Sequence, residues 1–187
     1  MKPIANSTKL INFILFFLCI ISFNVFASIT TTGSGNWSST TPNAPWPGGT
    51  IPASGDDIII GTGFTLTVDG NRTCNSIAFS STSGTLAVNV SVVLTVTTSV
   101  TLNSSAAANR ACTISGAGTI NCVSVNVGSA VTPSGSSYTA QMTSTLTALN
   151  VSGNLTIYGS KSGSKTNNCT FFHSSGTVDV DGSVATS

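Results

Sequence analysis

From Ser28 onward, apolar residues fall at every second position. Phe64-Leu66-Val68, Leu86-Val88-Val90, Leu155-Ile157 and Val178-Val180 are each interleaved with Thr, Ala, Asn or Asp. Successive side chains of a strand point to opposite faces, so this alternation predicts short strands with one buried face. No window carries a helical period. Ala106-Ala107-Ala108 is helix-friendly but far too short to nucleate a helix. Val92-Val93-Leu94 breaks the alternation and reads as a bulge or as a strand covered on both sides.

Glycine punctuates these runs. Gly84-Thr85-Leu86-Ala87-Val88 is echoed by Gly118-Thr119-Ile120-Asn121-Cys122, Gly153-Asn154-Leu155-Thr156-Ile157 and Gly176-Thr177-Val178-Asp179-Val180, the last step being shorter than the first two. A second echo links Asn71-Arg72-Thr73-Cys74, Asn109-Arg110-Ala111-Cys112 and, more loosely, Asn167-Asn168-Cys169. The two intervals between its cysteines stand in the ratio two to three. Repeats of this kind imply stacked coils of roughly 20 residues. Ser129–Thr145 and Ser160–Asn167 read as loops inserted between coils. The expected fold is all-β: a right-handed parallel β-helix, or β-solenoid, with an N-terminal cap. The alternative is a β-sandwich, which also has short strands at close spacing.

The stack needs a lid. Trp37, Trp46, Gly49, Pro52, Gly55, Asp56 and Gly63 supply aromatic bulk, turns and prolines that refuse further strand pairing. The expected organisation is a signal peptide over 1–27, a cap segment over 28–57 and solenoid coils over 58–187.

The leader follows from Lys2, Lys9 and an apolar run from Leu10 to Phe26, with Val25-Phe26-Ala27 offering small residues where a signal peptidase reads. The run is short for a membrane span and no basic stop follows it. Leu18 before Cys19 argues against lipid attachment. The expected location is outside the cell, secreted or on its surface.

Composition then narrows the partners. Beyond the leader, Arg72, Arg110, Lys161 and Lys165 stand against Asp56, Asp57, Asp69, Asp179 and Asp181, and Glu is absent. So little charge gives no footprint for nucleic acid. A glycan or another cell-surface ligand fits better, and oligomeric state is open.

Candidate chemistry is sparse. Asp56 reads as a cap on backbone amides and not as a metal ligand, because its neighbour Asp57 points to the other face. His173 reads as an outward strand or turn residue, with no Gly-x-Ser-x-Gly elbow to pair with. Asp179 and Asp181 share one strand face about 7 Å apart, within reach of a glycosidase pair. Lys161 and Lys165 offer a lyase base with no acidic partner in sequence. Gly163-Ser164-Lys165-Thr166 lacks the Gly-Lys of a phosphate loop. Cys74, Cys112, Cys122 and Cys169 have no zinc spacing. Cys74, Cys112 and Cys169, stacked in one column two and three rungs apart, would be too distant to bond, and so read as buried thiols. Cys112–Cys122 is the possible disulfide otherwise. The Thr65-Thr67, Thr95-Thr97, Thr143-Thr145 and Thr145-Thr147 pairs would suit an ice-binding face, but recur at no constant step.

Trp37, Trp46-x-Gly48-Gly49-x-x-Pro52-x-x-Gly55-Asp56-Asp57-x-x-Ile60-x-x-Gly63 and Leu66-x-Val68 resemble the start of the eight-glycine extracellular domain. They are also similar to the head of large secreted right-handed β-helix proteins of gliding-type Gram-negative bacteria. The resemblance covers about Gly35 to Phe79. It implies a surface-exposed, adhesin-like β-helix and is nearly silent on activity. The expected function is therefore an exported scaffold or adhesin-type binding module without catalysis and without a cofactor. The alternatives are a carbohydrate-active enzyme fragment and an ice-binding solenoid.

Overall fold

The structure, a computed structural model, describes residues 26–80, 82–103, 109–128, 137–162 and 164–186. The expected leader lies outside them apart from Phe26 and Ala27. Strands pair in parallel into a 10-stranded and a 7-stranded sheet. One antiparallel pair, Ser160–Ser162 with Lys165–His173, is the exception. The chain is a β-solenoid, and the sandwich alternative, which needs antiparallel layers, is excluded.

Each coil has three sides. The lateral ladder takes Ser28–Thr30, Asp57–Ile60, Ser76–Phe79, the later parts of Val93–Leu102 and Thr119–Val127, then Leu155–Ile157 and Val184–Thr186. The groove ladder takes Arg72–Cys74, the early parts of the same two long strands, Ala148–Val151 and Thr177–Val180. The flat sheet takes Gly35–Asn36, Thr65–Val68, Thr85–Val88, Arg110–Ser115, Tyr138–Ser144 and Lys165–His173. The lateral and groove ladders form the larger sheet, joined within Val93–Leu102 and Thr119–Val127. Their register shifts between Cys122 and Ser124.

Alternation along the strands becomes columns across them. The lateral ladder stacks Ile29, Ile58, Ile77, Val100, Val125, Leu155 and Val184 in register. The groove ladder stacks Cys74, Val96, Cys122, Val151 and Val180. The flat sheet stacks Leu66, Leu86, Ile114, Ser144 and His173. These columns meet in one hydrophobic core. Val93 and Leu94 keep the alternation after all. The break before them is a turn with Ser91 at φ 61°, and the irregularity sits at Cys122/Ser124 instead.

Coil length is not constant. An early coil runs from Ile58 to Ile77. Later ones run from Val125 to Leu155 and from Leu155 to Val184, and each is longer by roughly half. The short expected period therefore holds only early in the stack. The glycine echo does not mark coils: Leu86 lies in the flat sheet, Ile120 and Val178 in the groove ladder, and Leu155 in the lateral ladder. It marks a turn-and-strand unit used on every side. Ser160–Asn167, expected as a loop, is a hairpin. Of the other expected insertion, 129–136 lies outside the described residues, and Tyr138–Ser144 is a strand of the flat sheet.

The segment read as a cap builds the first coil itself. Its strands Ser28–Thr30 and Gly35–Asn36 pair onto the second coil. Trp37 follows in register, its amide donating to Thr67 O at 2.7 Å. Trp46 packs against it edge to face, with centroids 5.3 Å apart, and Trp46 Nε1 donates to Trp37 O at 2.7 Å. Both rings are fully buried. They close the core with a large apolar area, and the Trp46 indole N–H is paired within it.

Candidate functional site

Two outer surfaces carry polar groups in order. The first is a groove where the groove and lateral ladders meet. It has a volume of about 480 Å³ and crosses several coils. Thr95, Asn121, Asn150 and Asp179 occupy one outward column on successive coils, with Thr97, Val123, Ser152 and Asp181 beside them. Asn150 Nδ2 donates to Asn121 Oδ1 at 2.8 Å. Each amide keeps hydrogen-bonding capacity for a ligand, since it has two donors and an acceptor with two lone pairs. Val123, next to the inward Cys122 at the register shift, is 46 % exposed.

The second surface is the outer face of the flat sheet. Thr65, Thr85, Thr113 and Thr143 face each other across four consecutive coils. Two residues along, Thr67, Ala87 and Ser115 form a parallel column. Thr145 continues it, its amide donating to Ile114 O at 2.9 Å. Among the described residues none takes the hydroxyls of Thr65, Thr85, Thr113 or Thr143. In the next coil the first column meets Phe172, 57 % exposed.

The residues singled out from the sequence hold the first coils together. Asp56 is buried and accepts the Ala27 amide at 2.9 Å and the Ala53 amide at 2.7 Å. This is the capping role expected of it. Gly49 has φ 74°, and a Cβ there would lie 2.2 Å from Thr40 O. Gly55 passes against the Phe26 ring, Pro52 is half-buried, and Gly63 donates to Ser83 O at 2.8 Å.

Three expectations need correction. Cys112 and Cys122 are free thiols, one on the flat sheet and the other in the groove ladder, so the possible disulfide between them is not formed. Cys74 shares its column with Cys122, two coils away, and not with Cys112 and Cys169. His173 points inward below Ser144. Both its ring nitrogens and the Ser144 hydroxyl lack a hydrogen-bond partner among the described residues. Burial pushes the Cys122 thiol up to about 12, and burial together with the Asp57 charge does the same for Cys74. Such thiols are unreactive packing groups.

Asp179 and Asp181 do reach one surface, both lining the groove. The side chains of Lys161 and Lys165 lie outside the described residues. No group of three His, Cys, Asp or Glu is placed to hold a metal among the described residues. No described helix is long and apolar enough to cross a membrane. Asn121, Asn150, Thr85 and Thr113 escaped notice in the sequence because their alignment depends on coil lengths of unequal size.

No family model, curated protein or solved structure matches this chain.

Proposed function

We propose that the protein is an exported, adhesin-type surface module that binds a neutral glycan without chemical turnover. The observation carrying this reading is the groove with its Asn121–Asn150 amide pair. Sugar hydroxyls are both donors and acceptors, and an amide ladder on a rigid sheet meets them with both. Thr95 adds a hydroxyl along the same line, and the hydroxyls of Thr97 and Ser152, which donate to Asn75 Oδ1 and Cys122 O, add acceptors. A parallel stack holds these groups at fixed spacing, so little ordering entropy opposes binding. The head resembling the eight-glycine extracellular domain agrees with a place on the cell surface.

A glycan array with the full chain tests this. Asn121→Ala with Asn150→Ala is expected to weaken the strongest hit by about tenfold or more. Unchanged binding in that double variant, or no binding by the parent chain, refutes the reading.

One observation favours a second reading. Asp179, on the strand Thr177–Val180, and Asp181, just beyond its end, both line the same groove, and two carboxylates in one groove are what glycoside hydrolysis uses. Glycan hydrolysis by the parent chain that disappears in Asp179→Asn would replace the binding role with a glycosidase.

A further inference from the structure

We infer that the outer face of the flat sheet binds ice. The coils bring Thr65/Thr67, Thr85/Ala87, Thr113/Ser115 and Thr143/Thr145 into a two-column array. In sequence the first members of these pairs recur at unequal steps, so the regularity exists only in the fold. Composition does not produce it. The lateral ladder's outward column reads Thr30, Ile59, Ala78, Thr101, Asn126, Thr156 and Ala185, with no two threonines adjacent. The groove column turns from threonine to asparagine and aspartate. The groove ladder pairs two threonines, Thr73 and Thr95, whereas the flat sheet lines up four in register.

Spacing selects the occupant. Parallel strands repeat at about 4.8 Å, and alternate residues along a strand at about 6.6 Å. This rectangular net is close to the spacing of water oxygens on surfaces of hexagonal ice. A flexible solute offers no such net. Ice also requires a face without bound charge, because a charged group holds its own hydration shell against the lattice. None of the eight array positions is ionisable.

Rigidity follows from the same residues. β-Branching restricts χ1 of each threonine. The strands beneath are paired through Thr65–Val68, Thr85–Val88, Arg110–Ser115 and Tyr138–Ser144 with no register shift. The four stacked threonine hydroxyls have no partner among the described residues, so they are available to lattice water. Each threonine also carries a methyl group, which does not compete for the hydrogen bonds of lattice water. This inference does not depend on the groove or on its ligand.

The test is retention of the full chain in slowly growing ice, with inhibition of ice recrystallisation as a second readout. Thr113→Lys sits at the centre of the array and projects outward. Thr156→Lys makes the same change on the lateral ladder. Circular dichroism and melting temperature establish that both variants are folded. The parent chain and Thr156→Lys are expected to be retained, and Thr113→Lys to be excluded by about tenfold relative to them. Exclusion of the folded parent chain overturns the inference. Equal retention of both variants also overturns it. Binding of the parent chain to crystalline polysaccharide but not to ice, abolished by Thr113→Lys, assigns the face to a glycan and overturns it too.

Discussion

The first and the last described coils have the same three sides but treat their core differently. At the start, Trp37 and Trp46 pack against each other in the core and are wholly buried. Asp56 fastens the incoming chain through the Ala27 and Ala53 amides. At the end, Phe171, Val178 and Val180 are only half-buried, and Val184 is 64 % exposed. The flat-sheet column, aliphatic through Leu66, Leu86 and Ile114, turns polar at Ser144 and His173. In a stack each residue is covered by its neighbours above and below. Position along the axis therefore decides how much a side chain contributes, more than its type does.

Trp46→Ala compared with Val184→Ala gives the largest expected contrast. Removing the buried indole leaves a cavity and strands the Trp37 carbonyl, at about 3–5 kcal/mol. Val184→Ala removes methyl groups that already face solvent and should cost less than about 0.5 kcal/mol. Urea unfolding of the two variants measures the difference. Similar losses would mean that the lid does not govern stability and would break the comparison.

Ser144→Ala tests the polar end of the flat-sheet column. Ser144 is fully buried and its hydroxyl has no partner among the described residues. A desolvated, unpaired hydroxyl is a liability of about 1–3 kcal/mol. Alanine removes it with almost no change of volume. The variant is expected to melt about 2–4 °C higher, which corresponds to about 1 kcal/mol for a domain of this size. A lower melting temperature would show that the hydroxyl is hydrogen-bonded and that the two ends are more alike.

Much of this contrast can be read along the chain. Alternating apolar positions predict the columns, and Trp37, Trp46 and Asp56 stand out as a lid and a cap. The Asn-Arg echo also has a physical cause. Asn71 Oδ1 accepts the Val93 amide and Asn109 Oδ1 the Thr139 amide, both 2.9 Å away on the next coil. Asn154 does the same for Ser183 at 3.0 Å. The asparagine closes the free edge at a turn, so it recurs where a coil begins a new side. Coil length is harder to read, since a turn can lengthen without disturbing the strands it joins. Thr65-Thr67 and Thr143-Thr145 are visible as pairs, but their alignment with Thr85 and Thr113, like the Asn121–Asn150 pair, is not legible, because a column is a property of several turns at once. His173 was misread for a similar reason. An imidazole in an apolar run looks polar and outward, whereas the register with Ser144 turns it in.

The smallest expected effect concerns a link from the lid to the second coil. Ser38, next to Trp37, donates its amide to Asp69 Oδ1 at 3.1 Å and its hydroxyl to Oδ2. Partial burial alone would raise the Asp69 carboxyl. The Ser38 hydroxyl and amide, the Asp69 amide and the nearby Arg72 charge outweigh it and hold the group below the usual carboxylate range. A folded-state value below the unfolded one stabilises the protein fully above the unfolded pKa of about 3.9. That contribution disappears as pH falls through the folded value. For so exposed a link it should amount to less than about 1 kcal/mol. Asp69→Asn should therefore be slightly less stable than the parent at pH 7, with a deficit that shrinks towards pH 2, by urea unfolding at both values. A deficit that persists unchanged at pH 2 would mean that the carboxylate charge is not what ties the lid down.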